Sequence, residues 1–346
     1  MLKAVILAGG RSTRLRPITN NRPKMLVPIL NRCVIDYVIE RIKETSMVDE
    51  YIFTLHYFGE KILEYIDESN SFGINPYFVK EEKPLGTAGS VKNVERELSD
   101  TFLVVSGDIL FDYDLRPVIQ EHMREHREAT IVLAEVRDVS GLGVVELDKD
   151  NRVTRFYEKP DPRNIGPALI NTGIYVLDKS VLNYIRPGQM FDFSVDLFPL
   201  LIKRGTLFGR REIGFWRDIG TYKGYFDAQA DILSNRTRIR IPGKKITHNV
   251  YAAKDAIVTD PEKASGPALI GEGSVVAGGV ILRNSVLGRE CKVGSNSALL
   301  YSALMNGTTV DTGSSIVGAL IGEKSYIGPG KNIIGPVGFA DGTRYE

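Results

Sequence analysis

Residues 7–29 read LAGGRSTRLRPITNNRPKMLVPI, an aliphatic strand end that runs into two glycines and then into basic residues. Glycines such as Gly9 and Gly10 after a strand let the backbone approach a ligand, and successive N–H groups can cradle phosphate oxygens. Arg14 offers a planar fork of donors and Lys24 a point charge, both suited to a triphosphate. The segment has neither the GKS/T of a Walker A loop nor the spacing of G-x-G-x-x-G. Its bland reading is a structural turn with cations beside it. Farther along, Asp108 closes the strand-like run VVSGD and Asp218 lies in WRDIGTY. Each suits a turn or helix cap, or a carboxylate that holds a hard cation. Glu158-Lys159-Pro160 reads as a surface turn or as a charged pair facing a polar ligand.

The elements that must position these residues alternate in type. Lys3–Leu7 is a strand, Cys33–Lys43 a helix, Tyr51–Leu55 a strand, Gly59–Glu68 a helix and Pro76–Lys80 a strand. Ala88–Leu98 is a helix, and Thr101–Ser106 is a strand entering Gly107-Asp108. Such alternation predicts an α/β fold, a Rossmann-like, mainly parallel sheet with helices on both faces. Ligands of these sheets gather outside the carboxyl ends of the strands, where Gly9-Gly10 and Gly107-Asp108 fall. After a helix over Tyr222–Leu233 and a basic stretch, Arg236–Lys245, the pattern changes. Aliphatics recur at Ile270, Val276, Leu282, Leu287, Val293, Leu299, Leu304, Val310, Ile316, Ile321, Ile327 and Ile333. The steps run six, six, five, with small residues at the corners, which is the hexapeptide rhythm of a left-handed parallel β-helix. The expected domains are 1–235, a linker over 236–257, and a β-helix over 258–346.

The full 7–29 segment resembles the signature of sugar-1-phosphate nucleotidyltransferases, LAGGxGTRLxPxTxxxPKxLxP. Further segments are similar to that family's motifs in the family's order: KPLGTAGSV at 83–91, VVSGDIL at 104–110, FYEKP at 156–160, INTGIYVL at 170–177 and WRDIGTY at 216–222. The resemblance implies that Leu7, Gly9, Gly10, Arg11, Ser12, Thr13, Glu81, Gly86 and Thr87 bind the nucleotide. It implies that Gly143, Glu158, Lys159, Asn171 and Gly173 bind the sugar phosphate. Asp108 and Asp218 would then hold Mg²⁺, and Arg14, Lys24 and Lys159 would complete the catalytic set. The reaction implied is attack of a sugar 1-phosphate oxygen on the α-phosphorus of an NTP, with pyrophosphate leaving. Two anions must be brought together, so neutralising charge and fixed placement are the main demands. The nucleophile is already ionised, so no Ser-His or Cys-His arrangement is required.

Glu81 lies where the family places a side chain against the base. A carboxylate only accepts hydrogen bonds, which suits the N1–H and N2–H donors of guanine. An amide would suit uracil or thymine better. The EEKPLGTAG run also resembles that of mannose-1-phosphate guanylyltransferases, which implies GTP and mannose 1-phosphate as the expected pair, with a solvent-exposed Glu81 as the bland alternative. A glucose-1-phosphate thymidylyl- or uridylyltransferase is the second reading. The chain departs from the family at Ser12, where glycine is usual, and at Tyr222, where proline is common. The first departure leaves room for a regulatory paralogue that binds nucleotide sugars without turnover; the second is read as unimportant.

Composition excludes several classes. The 346 residues carry 44 Lys plus Arg against 43 Asp plus Glu, so no global field favours nucleic acid or anionic membrane. Apolar residues make up 43%, and no run has the length of a membrane span, which predicts a globular cytoplasmic protein. Cys33 and Cys291 match no metal spacing and are expected as buried thiols. His56, His122, His126 and His248 are scattered and read as surface or packing residues. None follows His248, which argues against the acyl-CoA chemistry that hexapeptide coils also host. Phe215 and Trp216 are expected in the core. Flat coil faces suggest a homo-oligomer.

Overall fold

The computed structural model describes residues 2–247 and 249–346, so His248 lies outside the described residues. The chain packs as two compact units, each discontinuous in sequence. One comprises residues 1–10 and 35–216, the other residues 11–34 and 217–346.

The first unit is built on a mixed sheet. In chain order its elements are β1 (Leu2–Ala8), α1 (Val34–Lys43), β2 (Val48–Leu55), α2 (Gly59–Glu68), β3 (Pro76–Lys80), α3 (Gly86–Asn93) and β4 (Thr101–Ser106). They continue with α4 (Arg116–Arg124), β5 (Ala129–Val136), β6 (Val144–Leu147), β7 (Val153–Tyr157), β8 (Ala168–Asp178), α5 (Phe198–Arg204) and β9 (Leu207–Arg211). The strand order is β7-β6-β8-β4-β1-β2-β3, and β5 pairs with both β8 and β9. Pairing is parallel across β4-β1-β2-β3 and between β5 and β9. It is antiparallel around β8 and between β6 and β7. The parallel half is the part that alternation made legible. Ala4, Val5 and Ile6 of β1 are all inaccessible, as expected of a strand covered on both faces. Ala88 and Val91 of α3 join Val5, Ile52, Val104, Phe198 and Leu201 in one continuous core. The expected helix over 88–98 is shorter, since α3 stops at Asn93 and a separate turn of 3₁₀ helix covers Glu95–Glu97.

The second unit joins α6 (Tyr222–Leu233), the 11–34 segment and a β-helix. The β-helix has three parallel ladders whose partners are offset by one coil: Ile270 with Leu287, Val276 with Val293, and Leu282 with Leu299. All twelve aliphatics of the sequence rhythm lie in its core. The corners are less visible in sequence. Ser274, Ser285, Ser297, Ser302, Thr308 and Ser314 are buried, and each donates its hydroxyl to a backbone carbonyl of the next coil at 2.8–3.3 Å. Small hydroxyl residues thus satisfy carbonyls that a tight corner would otherwise leave buried and unpaired. Cys291 fills one such corner, its thiol 3.2 Å from the Met305 carbonyl, and burial pushes its pKa up to about 11. Cys33 and Cys291 are both thiols, Cys33 only half-buried. Pairing begins at Val250, which lies parallel to Ala268, so the first coil is entered before the rhythm becomes readable. Within the basic stretch, Ile239 and Ile241 are buried and Lys244–Lys245 pairs antiparallel with Tyr251 and Ala252. Among the described residues no helix is long and apolar enough to cross a membrane.

Candidate active site

In the first unit the residues singled out from sequence are connected by short contacts at the carboxyl ends of β1 and β4. Asp108 follows β4, is half-buried, and accepts a hydrogen bond from Ser106 Oγ at 2.6 Å. Gly173 faces the same serine: an ideal Cβ there would stand 3.1 Å from Ser106 Cβ. Gly173 sits where β8 shifts register against β5, held by its own N–H donating to Asn171 Oδ1 at 3.0 Å. Asn171 N–H donates to the Gly143 carbonyl at 2.9 Å, and an ideal Cβ on Gly143 would lie 3.5 Å from Glu158 Oε2. Glu158 and Lys159 are both exposed and pair with each other at 3.1 Å. Thus Gly143, Glu158, Lys159, Asn171 and Gly173 form one cluster that reaches Asp108 through Ser106. Phe215 is buried as expected, whereas Trp216 is only half-buried and donates its indole N–H to the Thr172 carbonyl at 3.0 Å.

The base-side residues form a second cluster. Gly9 is adjacent to His56, whose Nδ1 lies 3.2 Å from the Glu81 carbonyl oxygen. Leu7 is half-buried on β1, and Gly10 has open space where a Cβ would be. Glu81 is not solvent-exposed: it is 6% exposed, and its Oε1 has no hydrogen-bond partner among the described residues. Burial raises its pKa, against the opposing pull of Ser90, the Leu85 backbone and His56. A buried acceptor without a donor is costly, and a ligand that supplies N–H groups would relieve that cost. Gly86 opens α3 at φ +73, with an ideal Cβ only 2.7 Å from the Phe191 carbonyl oxygen, so only glycine fits. Thr87 is tied by its N–H and hydroxyl to Asp192 Oδ1, at 2.8 and 3.0 Å. Asp192 and Ser106 are the supports that sequence reading missed. Nothing in their local pattern marks them, because both act across long sequence separations or through a single hydroxyl.

In the second unit, Asp218 is the hub of a compact charge cluster. Its Oδ1 accepts from Lys24 Nζ at 2.7 Å and from Gly220 N–H at 2.7 Å, while Arg14 Nη2 stands 3.5 Å from Oδ2. Lys24 is 5% exposed, a lysine held inside by its carboxylate partner. An ideal Cβ on Gly220 would lie 2.5 Å from Arg14 Nη2 and 2.9 Å from Asp218 Oδ1, so the glycine leaves both side-chain ends room to converge. Arg11 and Thr13 are exposed. Ser12 has φ +51 and ψ +40, a left-handed conformation, with its carbonyl accepting from the Thr19 hydroxyl at 2.7 Å. The glycine usual in the family would adopt this backbone without strain. Tyr222 corrects its reading as an unimportant departure: its hydroxyl donates to the Arg16 carbonyl at 2.9 Å and lies 3.2 Å from that of Leu15. It therefore buttresses the basic segment itself.

No group of three or more His, Cys, Asp or Glu side chains that could hold a metal occurs among the described residues.

Comparison with known proteins identifies the family. The family described as Nucleotidyl transferase matches residues 3–235, and the family described as GlmU-like, C-terminal hexapeptide matches residues 254–346. The chain is 30% identical to the UTP–glucose-1-phosphate uridylyltransferase of Synechocystis sp., over 91% of this chain and 90% of that protein. It is 32% identical to a probable mannose-1-phosphate guanylyltransferase 1 of Oryza sativa subsp. japonica, over 94% of this chain and 88% of that protein. The crystal structure of HddC from Yersinia pseudotuberculosis complexed with GMP-PN is similar at TM-score 0.58 and 28% identity, covering 66% of this chain and 98% of that chain. The chain therefore belongs to the Nucleotidyl transferase family and carries a GlmU-like hexapeptide domain at its C-terminal end.

Proposed function

We propose that the protein transfers a nucleotidyl group from GTP to mannose 1-phosphate, giving GDP-mannose and pyrophosphate. Nucleotidyl transfer to a sugar 1-phosphate is supported by the family match and by both relatives named above. The guanine preference rests on one observation: Glu81 is buried with Oε1 unpartnered, an acceptor-only group suited to the paired donors of guanine. Arg14 and Lys24 are proposed to neutralise the triphosphate, with Leu7, Gly9, Gly10, Arg11, Ser12, Thr13, Gly86 and Thr87 around the nucleotide. Gly143, Glu158, Lys159, Asn171 and Gly173 are proposed to hold the sugar phosphate, with Lys159 steadying the attacking oxygen. Asp108 and Asp218 are proposed as hard oxygen donors to Mg²⁺; Asp108 accepts from the Ser106 hydroxyl and Asp218 from the Gly220 N–H. A bound Mg²⁺ would supply charge neutralisation at the phosphate oxygens.

In this reading residues 1–235 are the catalytic domain and 258–346 a left-handed β-helix offering a homo-oligomer surface, in a cytoplasmic protein; the linker over 236–257 already contributes Val250–Ala252 to the first coil. The relative from Synechocystis supports glucose 1-phosphate with UTP as the second reading. The left-handed Ser12 keeps open a regulatory paralogue without turnover.

Pyrophosphate release with Mg²⁺ across GTP, ATP, CTP, UTP and dTTP, crossed with mannose, glucose and N-acetylglucosamine 1-phosphates, tests these together. Release with GTP and mannose 1-phosphate alone is the expected result. Release with UTP or dTTP and glucose 1-phosphate instead would transfer the reading to that pair. Silence across the grid in folded protein would favour the paralogue.

A further inference from the structure

Arg22 lies in the basic segment but outside the residues assigned to ligand. Its side chain is 14% exposed, and its guanidinium spans two carboxylates near the end of the β-helix. Nη2 stands 2.6 Å from Asp341 Oδ2 and Nη1 3.0 Å from Glu323 Oε1. Asn21 Nδ2 donates to the same Asp341 oxygen at 2.9 Å. The carboxylates are themselves placed by the coil, because the Glu323 N–H donates to Asp341 Oδ1 at 2.8 Å. Burial alone would push the Asp341 carboxyl up. Asn21, the Glu323 amide and Arg22 outweigh it and hold the group below the usual range, so the clamp is charged at neutral pH.

Only Pro23 separates Arg22 from Lys24. It is buried and extended, at φ −70 and ψ 151, and the pyrrolidine ring removes the freedom in φ that would let Lys24 move apart from Arg22. Lys24 then begins a short turn closed by the Val27 N–H on its carbonyl at 2.9 Å and reaches Asp218 at 2.7 Å. Two more ties fix the segment. Tyr222 holds the Arg16 carbonyl, and Asn31 Nδ2 donates to the Leu287 carbonyl of the β-helix at 2.7 Å. A charged, partly buried pair with two acceptors is far stiffer than a single surface ion pair.

We propose that Arg22, clamped by Glu323 and Asp341, is a positioning residue that sets Lys24 through Pro23. The β-helix thereby takes part in nucleotidyl transfer by holding the loop that supplies the cation. This inference rests on the function proposed above. A lysine displaced by an ångström or so loses much of its value to a developing charge, and the effect belongs in kcat more than in ground-state binding.

The test uses the full-length chain carrying Glu323→Gln and Asp341→Asn together, and separately Arg22→Ala and Arg22→Lys. Pyrophosphate release gives kcat and both KM values, and amide hydrogen exchange reports on residues 13–27 and on the coils over 268–321. In the double variant kcat should fall about tenfold or more, with either KM moving less than about threefold. Exchange should rise in 13–27 and stay low in the coils. Arg22→Lys, which keeps the charge, should recover part of the rate lost in Arg22→Ala. Unchanged kcat with unchanged exchange in 13–27 would overturn the proposal. So would exchange that rises equally across the coils with activity following the folded fraction, since that is loss of fold and not of position. If the unaltered protein is silent on every substrate pair, the proposed function fails separately. The exchange arm then decides the clamp, and undiminished protection of 13–27 in the double variant rejects it.

Discussion

Asp108, Glu81 and His122 each carry a consequence that single substitutions can reach. Asp108→Asn keeps the shape and the Ser106 contact but removes a charge from the proposed Mg²⁺ site. Turnover should fall about 10²-fold or more while the melting temperature stays close to that of the unaltered protein; steady-state rates and a thermal scan check both. Glu81→Gln offers a donor where guanine presents donors, so the preference for GTP over UTP should fall by about tenfold or more in competition assays. Because burial raises the Glu81 pKa, GTP preference should also fade with acid earlier than an ordinary glutamate would dictate. Of the two roles open to His122, surface or packing, the structure assigns packing: it is buried, with Nδ1 2.9 Å from Thr130 Oγ1. Burial lowers its pKa from 6.5 to about 4. The folded state therefore holds the neutral ring while the unfolded chain takes up a proton below pH 6.5. Its contribution is complete above that pH and is lost on descent towards 4, by about 3 kcal/mol in all. Denaturant unfolding at pH 7, 5 and 4 should show this slope, and His122→Gln should flatten it.

At the scale of elements, the basic segment after β1, to which the proposed function assigns the triphosphate, has only short turns for regular structure. Its order comes from short 3₁₀ turns, from the Ser12 carbonyl that holds Thr19, and from α6 through Tyr222. Tyr222→Phe removes the hydroxyl whose partners are main-chain carbonyls, costing about 1 kcal/mol of stability. The expected kinetic mark is a higher KM for the nucleotide, read by initial rates. At Ser12 two effects oppose: glycine relieves the left-handed strain but gives the unfolded chain more freedom. Ser12→Gly should then change stability by less than about 1 kcal/mol. Any gain in nucleotide affinity, measured by calorimetry, would come from the removed side chain and would show that Ser12 crowds the site.

For the molecule as a whole, the packing units do not follow the linear order of the motifs. Residues 11–34 group with 217–346, whereas the strand that leads into them groups with 35–216. Cutting the chain after residue 235 would remove Leu287, Glu323 and Asp341, which hold Asn31, Asn21 and Arg22. The shortened chain is expected to melt about 5 °C or more below the full protein, on the scale of a few kcal/mol spread over a domain of this size. A melting temperature equal to that of the full chain would show that 1–235 is self-sufficient.

What the amino-acid sequence determined by itself was what repeats or runs in order. Alternating strands and helices defined the parallel half of the sheet. The six, six, five rhythm located every core aliphatic of the β-helix, since one inward residue per side is a local rule written along the chain. Motif order named the family and the candidate residues, and the structure links those of each unit through short contacts. Tertiary structure alone decided what depends on distant partners: the antiparallel strands around β8, the serines that close the coil corners, the burial of Glu81, and the support Asp192 gives Thr87. It also decided that Tyr222 and Arg22 act on the basic segment from outside its motif. Such contacts can join residues more than three hundred positions apart, and neither periodicity nor spacing encodes which of many similar side chains will meet once the chain has closed.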